Sequence, residues 1–246
     1  MFAEITLATV LFLISASFFA GFVDSIAGGG GLIQLPALLI GLPKTDTVTV
    51  LGTNKLGSVF GTTTAAALYR RQIKPDIKVL AAMAIPAFIG SAIGASLASR
   101  IPTQSMRPIV LVLLIVVAIY TWIKPDLGKI ELLRHASKRR IQISIAAGLI
   151  IGFYDGIFGP GTGSFLMLIL VASLGYAFIT ASAIAKVVNV STNVGAIMIF
   201  GLNGEIIWKL GLMLGAANVA GAILGSRLAI RHGAQGFINR TSHPSC

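Results

Sequence analysis

Nine apolar segments, separated by short polar intervals, make up most of this chain of 246 residues. A helix of about 20 apolar residues is long enough to cross the hydrocarbon core of a membrane. Within lipid, only a helix satisfies its backbone hydrogen bonds inside one segment. We therefore predict an all-α polytopic membrane protein with about nine spans. In chain order, the predicted spans are 5–23, 32–42, 47–68, 79–98, 108–123, 141–158, 164–176, 179–200 and 206–229.

The composition excludes a water-soluble domain and a disordered chain. Hydrophobic residues make up 55% of the sequence and charged residues 11%, whereas soluble domains carry about 25% charged residues. The single cysteine, Cys246, excludes a disulfide framework and a cysteine-ligated metal centre. The three histidines fall outside the predicted spans, and no P-loop, zinc-protease motif or nucleophile elbow is present. We therefore predict neither an enzyme nor a bound cofactor or metal.

The net charge of +11 is concentrated in the polar intervals, above all in 70–78 and 124–140. No basic stripe with interleaved aromatic residues is present, so we predict no nucleic-acid partner. Cytoplasmic loops of membrane proteins collect Lys and Arg. We therefore predict that both intervals are cytoplasmic, that the N-terminus lies outside, and that the protein resides in a bacterial inner membrane. The first apolar segment lacks a basic leader and a cleavage site, so we expect a retained span.

The sequence repeats itself at an offset of 131 residues. Gly21-Phe22-Val23-Asp24 recurs as Gly152-Phe153-Tyr154-Asp155, and the same offset relates Gly28 to Gly159, Gly30 to Gly161, Lys55 to Lys186, Gly90 to Gly221 and Gly94 to Gly225. An odd number of predicted spans separates corresponding points. The second repeat should therefore be inverted, an arrangement common among secondary transporters.

The repeat also predicts how the chain is organised. We expect a first transmembrane repeat at 1–123, a basic cytoplasmic loop at 124–140, a second repeat at 141–231 and a polar tail at 232–246, all within one integral domain. The second repeat stops before a counterpart of the fifth span. We therefore expect a chain that is truncated or frame-shifted relative to a ten-span ancestor.

Each of the two shortest spans follows a glycine-rich interruption, at 28–31 and at 159–163. Glycine permits the backbone angles of a sharp break and lets a ligand approach the main chain. The following helix presents free N–H groups and the positive end of its dipole, which together favour an anion. A kink filled by neighbouring side chains is the alternative. The binding residues predicted from these breaks are Gly28, Gly29, Gly30, Gly159, Gly161 and Thr162.

Four charged residues lie within apolar surroundings: Asp24, Lys55, Asp155 and Lys186. A charge at the membrane centre costs about 2.5–3.5 kcal/mol on insertion scales, so such residues usually face a pathway. We predict that both lysines bind an anion, whereas both aspartates neutralise them in the empty site and carry a coupling proton. The alternative is two ion pairs that only hold helices together.

Amide and hydroxyl side chains occur at helical spacing around the two lysines. Residues three or four positions apart share one face of a helix. We therefore predict further contributions to the binding site, although such side chains also hydrogen-bond helices to one another in membranes. These residues are Asn54, Ser58, Asn189 and Asn193.

The segments 21–33, 53–55, 152–165 and 186–193 together resemble the TauE/SafE family of sulfite and organosulfonate permeases. The resemblance covers the chain up to about residue 231. It implies an inner-membrane permease for small sulfur-containing or carboxylate anions, such as sulfite, sulfoacetate or taurine-derived sulfonates.

We predict a secondary transporter of a small sulfur-containing or organic anion, with proton coupling as one option. Its partners would be this anion and membrane lipid, and a homo-oligomer is compatible with the sequence. The alternative is a non-transporting assembly subunit whose Asp–Lys pairs are purely structural.

Overall fold

The computed structural model describes residues 6–123 and 132–241, with side chains described for 6–119 and 132–231. These residues contain nine α-helices and no strand, which confirms the predicted all-α architecture. The helices are α1 (Leu7–Ala27), α2 (Gly31–Gly41), α3 (Thr47–Gln72), α4 (Ile77–Ala98), α5 (Thr103–Ile123), α6 (Ser137–Ile157), α7 (Thr162–Leu168), α8 (Phe178–Leu202) and α9 (Trp208–Thr241).

Two of the predicted boundaries differ from the structure. The predicted loop at 124–140 ends earlier, because α6 already begins at Ser137; residues 124–131 lie outside the described residues. The first part of the predicted tail at 232–246 continues helix α9 as far as Thr241. This part of the sequence contains no proline, the residue that most strongly interrupts a helix.

Five helices are long and apolar enough to cross a membrane: α1, α4, α6, α8 and the Trp208–Arg231 part of α9. Helix α3 is long enough, with 26 residues, but it carries many polar side chains. Most of its side chains are buried by neighbouring helices. Helix α3 is therefore shielded from lipid by the rest of the bundle, as polar transmembrane helices usually are.

The two halves pack against each other reciprocally. The first helix of each half, α1 or α6, packs along the fourth helix of the other half, α9 or α4. On α4, Gly90 faces the backbone of Leu149 on α6, and the residues at the 131 offset, Gly221 and Phe18, face each other in the same way. The contacts of α3 with α9 are likewise matched by those of α8 with α4.

The helix directions follow from the residues that face each other. On α3, Gly52 near the start faces Phe200 near the end of α8, and Tyr69 near the end lies beside Ser182 near the start of α8. Helices α3 and α8 are therefore antiparallel. Helices α1 and α9 run parallel to α3, whereas α4 and α6 run parallel to α8. This is the arrangement that an inverted repeat predicts.

These directions place the basic residues at one end of the bundle. The end of α3 and the starts of α4, α6 and α8 meet there, and we call this the basic end. Its basic residues are Arg70, Arg71, Lys74, Lys78, Arg134, Lys138, Arg139, Arg140 and Arg231. The opposite end, where α1 begins and where Asp46 and Glu205 lie, is called the N-terminal end.

The short helices α2 and α7 do not cross the bundle, so the segments 32–42 and 164–176 are not the membrane spans that the sequence predicted. Helix α2 runs back along α1, since Gly30 lies against Ala20, whereas Gly41 lies against Leu13 and Thr9. Eleven residues of helix measure about 16 Å, roughly half of the hydrocarbon thickness. Helix α7 is extended by the π-helical turn Ile169–Ser173 and returns to the basic end. Each glycine break therefore turns the chain around inside the bundle.

We predict that Gly90→Ala destabilises the fold, because the added Cβ would collide with the Leu149 carbonyl group on α6. Overpacking of this kind costs about 1–3 kcal/mol, enough to lower the melting temperature by several degrees in a detergent unfolding assay. Gly201→Ala is the matched control, since its nearest neighbour is a ring carbon of the half-exposed Trp208 at 3.3 Å. Equal melting temperatures for both variants would contradict the close packing of α4 and α6.

Candidate functional site

A largely enclosed polar cavity lies where the two glycine breaks, α3 and α8 come together. About 30 Å³ of it is open to the centre of a water molecule, which is room for about two waters. It is lined by Asp24, Gly28, Gly30, Gly31, Asn54, Lys55, Ser58, Thr62, Asp155, Gly159, Gly161, Thr162, Gly163, Asn189, Asn193 and Asn218. Both halves therefore contribute to one shared cavity.

The acid–base pairs cross between the two halves. The Lys55 Nζ atom of the first half lies 2.5 Å from Oδ2 of Asp155 in the second half. Reciprocally, the Lys186 Nζ atom lies 3.1 Å from Oδ2 of Asp24. Both lysines and Asp155 are at least 97% buried. The sequence groups one acid and one base in each half, but each acid has its partner in the other half.

Each aspartate also accepts a hydrogen bond from a threonine. Thr162 Oγ1 donates to Oδ1 of Asp155 at 2.6 Å and also contacts the Gly159 carbonyl oxygen at 2.9 Å. Thr62 Oγ1 donates to Oδ2 of Asp24 at 3.4 Å. The carboxylates therefore have two polar partners each, which compensates for the removal of water from these charges.

The broken ends of α1 and α6 are held in direct contact with the opposite half. A Cβ atom at Gly28 would lie 2.7 Å from the carbonyl carbon of Gly163, and one at Gly163 would collide with Gly28. The left-handed backbone of Gly28 (φ 80°), Gly159 (φ 89°) and Gly161 (φ 75°) also favours glycine. Glycine is therefore required here for both the turns and the close approach.

Helices α2 and α7 point their first residues into the cavity, because Gly30 and Gly31 line it from one side and Thr162 and Gly163 from the other. The first N–H groups of a helix lack partners within the helix. The cavity therefore combines backbone donors with the Lys55 side chain, a combination that suits an anion.

Arginines hold the outer ends of the same two short helices. Arg107 on α5 donates to the carbonyl oxygens of Pro43 and Leu39 at 2.6 and 2.7 Å. Arg134, before α6, donates to the carbonyl oxygen of Ala172 at 2.7 Å. A positive charge at a helix C-terminus is favourable. Each short helix is therefore fixed at its outer end by an arginine.

The structure brings most of the predicted site residues together. Of the fourteen, Gly29 and Lys186 do not line the cavity; Lys186 lies behind Asp24, to which it is paired. The remaining predicted residues all line it, namely Asp24, Gly28, Gly30, Asn54, Lys55, Ser58, Asp155, Gly159, Gly161, Thr162, Asn189 and Asn193.

Four lining residues were missed by the sequence analysis: Gly31, Thr62, Gly163 and Asn218. Thr62 follows Ser58 by four positions, so helical spacing could have identified it. Asn218 is a polar residue within an apolar span, which is itself a signal. The two glycines belong to the glycine-rich interruptions but lie just beyond the positions that the repeat matches.

One side of the cavity carries a hydrogen-bond network that the other side lacks. Asn218 Nδ2 donates to Gln34 Oε1 at 2.9 Å and to the Ser17 carbonyl oxygen at 3.1 Å. Ser17 Oγ also contacts Gln34 Oε1 at 3.2 Å. At the 131 offset, the corresponding positions hold Gly148, Phe165 and Ala87, which have no polar side chains.

A second feature of the cavity is an unsatisfied amide. The Oδ1 atom of Asn54 is enclosed and has no hydrogen-bond partner within the described residues. A buried polar group without a partner is costly.

Among the residues described, there is no cluster of three or more His, Cys, Asp or Glu side chains that could hold a metal ion.

Comparison with known proteins identifies the family of the chain. The family model described as "Sulfite exporter TauE/SafE" matches residues 13–240. The chain belongs to the TauE/SafE family. Its resemblance to that family is therefore confirmed, and the glycine breaks and lysines that carried the resemblance lie at the centre of the fold. No solved structure matches the chain.

Several bacterial relatives of this TauE/SafE protein are named as transporters. A probable membrane transporter protein of Sinorhizobium is 42% identical over 225 residues, covering 91% of this chain and 84% of the relative. A probable membrane transporter protein of Haemophilus influenzae is 36% identical, covering 93% and 88%. The relative YfcA of Escherichia coli is also 36% identical, covering 91% and 81%. The chain is therefore a membrane transporter, not an enzyme, and a multi-pass protein of the bacterial inner membrane.

We predict that charge swaps across the halves of this TauE/SafE protein preserve folding better than swaps within a half. Asp24→Lys combined with Lys186→Asp retains a pair of opposite charges, whereas Asp24→Lys combined with Lys55→Asp breaks both pairs. Breaking one buried pair costs about 3–5 kcal/mol. The measurement is the monodisperse yield and melting temperature in detergent.

The two double variants have the same composition and net charge, so each is the control of the other. Equal loss of folding in both, or better recovery by the swap within a half, would contradict the crossed pairing.

Proposed function

We propose that this transporter is a secondary carrier of a small sulfur-containing or organic anion, such as sulfite or a sulfonate. The observation that carries the proposal is the pair of crossed Asp–Lys contacts in one cavity between two broken helices. Binding near the middle of the bundle between inverted halves is typical of secondary transporters. The name of the matching family, which refers to sulfite export, supports the same class of substrate.

An anion would bind by taking the place of an aspartate beside its lysine. The neutral donors around Lys55 are Ser58, Asn189 and Asn193, and all three line the cavity. A tetrahedral or pyramidal oxyanion has several acceptor oxygens and could use all of these donors together. The unpartnered Oδ1 of Asn54 would accept a hydrogen bond from water or from a protonated anion.

The charges of the cavity suggest how a proton is coupled to the anion. Two aspartates and two lysines sum to zero, so the empty cavity holds no uncompensated charge. When an anion engages a lysine, the aspartate loses its partner, and an unpaired charge inside the membrane is costly. Protonation of Asp24 or Asp155 removes that cost. We infer that one proton accompanies each monovalent anion.

The proposal includes the orientation of the protein in the membrane. Nine of the described Lys and Arg residues lie at the basic end, whereas four, Lys44, Arg100, Arg107 and Lys209, lie at the N-terminal end. Such residues collect on the cytoplasmic side. We infer that the basic end is cytoplasmic.

An assembly subunit without transport activity is not favoured, because the relatives are named as membrane transporters. Whether the protein forms a homo-oligomer stays a prediction.

We predict that Lys55→Met and Lys186→Met each lower sulfite or sulfonate flux into proteoliposomes by at least about tenfold. The loss of one charge-assisted hydrogen bond to a bound anion corresponds to about 1.5–3 kcal/mol, and 1.4 kcal/mol is tenfold. Lys209→Met is the matched control, since it removes the same charge from an exposed position at the N-terminal end.

Full flux in both cavity variants would remove the lysines from the mechanism. Failure of sulfite, sulfoacetate and taurine alike in the unmodified protein would instead remove the substrate class. Thermal stabilisation by each anion separates binding from flux, because a bound ligand stabilises the folded protein in proportion to the logarithm of its concentration.

We predict that Asp24→Asn and Asp155→Asn abolish net anion flux driven by a pH gradient but leave anion-for-anion exchange largely intact. An asparagine cannot release a proton, so the unloaded carrier cannot return, whereas the loaded carrier still can. Asp76→Asn is the control, because Asp76 caps α4 at the exposed basic end and asparagine caps equally well. Loss of exchange together with net flux would assign the aspartates to anion binding rather than to coupling.

A further inference from the structure

Tyr69 and Phe200 are counterparts in the two halves, separated by the 131 offset. Each has no exposed surface, and they are the largest fully buried side chains among the residues described. The sequence analysis assigned no role to either residue. Two large, fully buried aromatic side chains therefore occupy matched positions in the two halves of the transporter.

Both residues lie on α3 and α8, the helices that carry the cavity. Tyr69 follows the lining residue Thr62 by seven positions, and Phe200 follows the lining residue Asn193 by seven. Seven residues of helix span about 10.5 Å. Because α3 and α8 are antiparallel, Tyr69 lies between the cavity and the basic end, whereas Phe200 lies between the cavity and the N-terminal end.

Phe200 belongs to a tightly packed cluster of apolar side chains between α3, α8 and α9. Its Cβ atom faces Gly52 on α3, where an added side chain would also meet Ile206. Leu51 and Leu210 belong to the same buried hydrophobic cluster as Phe200. An ion has no polar partner along such a packed apolar path, so this cluster closes the cavity toward the N-terminal end.

Tyr69 closes the other side with a hydrogen bond as well as a ring. Its hydroxyl group donates to the carbonyl oxygen of Ser25 at 3.0 Å. Ser25 lies in the last turn of α1, where carbonyl groups lack helical partners. Lys186 donates to the neighbouring carbonyl oxygen of Asp24 in the same turn. Tyr69 is therefore tied to the broken helix end that carries a cavity aspartate.

We propose that Tyr69 and Phe200 are the two gates of the transport pathway, with Tyr69 controlling access from the basic end and Phe200 access from the N-terminal end. This inference rests on the transport function proposed above but not on the identity of the anion. The structure is the state in which both gates are closed. Movement of α1 that alters the Asp24–Lys186 pair also moves Ser25 and releases Tyr69, which links occupancy of the cavity to the opening of one gate.

The test is the accessibility of a cysteine in the cavity. Ser58→Cys is introduced after the single native cysteine is removed by Cys246→Ser, and Ser58 lines the cavity. A membrane-impermeant, negatively charged methanethiosulfonate reagent is added from one face of oriented vesicles. Tyr69→Ala should raise the rate of labelling from the basic end by at least about tenfold, because truncating a buried aromatic residue leaves a cavity. Phe200→Ala should do so from the N-terminal end.

Conservative variants keep the test decisive if an alanine variant does not fold. Tyr69→Phe keeps the ring and loses the hydroxyl group with its contacts to Ser25 and Ser182, so it should still raise labelling from the basic end alone. Phe200→Leu should raise labelling from the opposite end alone. Phe19→Ala is the matched control, since it removes an aromatic ring from α1 at a position that is 57% exposed, and it should change neither rate.

Unchanged labelling in folded Tyr69 and Phe200 variants would overturn the gate assignment, as would opening of the same face by both. An equal effect of Phe19→Ala would also overturn it. Labelling from the expected faces without any flux of sulfur anions would leave the gates in place and refute the proposed substrate class instead.

Discussion

The crossed contacts Lys55–Asp155 and Lys186–Asp24 are the interaction on which the architecture depends. Four charges inside a membrane protein require partners, and here each partner lies in the other half. Removing one partner of a buried charge pair is strongly destabilising. The pairs therefore hold the two halves together and at the same time form the wall of the cavity. In the proposed mechanism, an anion that competes for a lysine would act directly on the contact between the halves.

Close packing of backbones makes that pairing geometrically attainable. Glycines on α4 and α9 let α6 and α1 approach within backbone contact, and glycines at the two breaks meet at the centre. Small residues serve this purpose in membranes because lipid offers no hydrophobic force between helices. The broken helices could not reach the opposite half if Gly28 or Gly163 carried side chains. The charge pairs across the two halves therefore depend on the glycine contacts that bring the backbones together.

The sequence predicted the helices and most of the cavity because both depend on local signals. Apolar length predicted each helix, and a charged residue in an apolar segment predicted Lys55 and Asp155. The partner of each charge was not predictable in this way, because pairing across halves is a property of tertiary packing. The same limit applies to Asn218, which reaches the cavity only because α9 packs along α1. Gly29 belongs to the glycine run, but it does not line the cavity, and its counterpart at the 131 offset is Pro160.

The network of Ser17, Gln34 and Asn218 exists on one side of the cavity only. Two halves with identical contacts would give a carrier whose inward-facing and outward-facing forms have equal free energy. In a carrier of the proposed kind, one form would separate these amide and hydroxyl groups and the other would keep them together. On the opposite side, only Gly148, Phe165 and Ala87 would separate. The two forms of the unloaded carrier would therefore differ in free energy, and the protein would accept its anion preferentially from one side of the membrane.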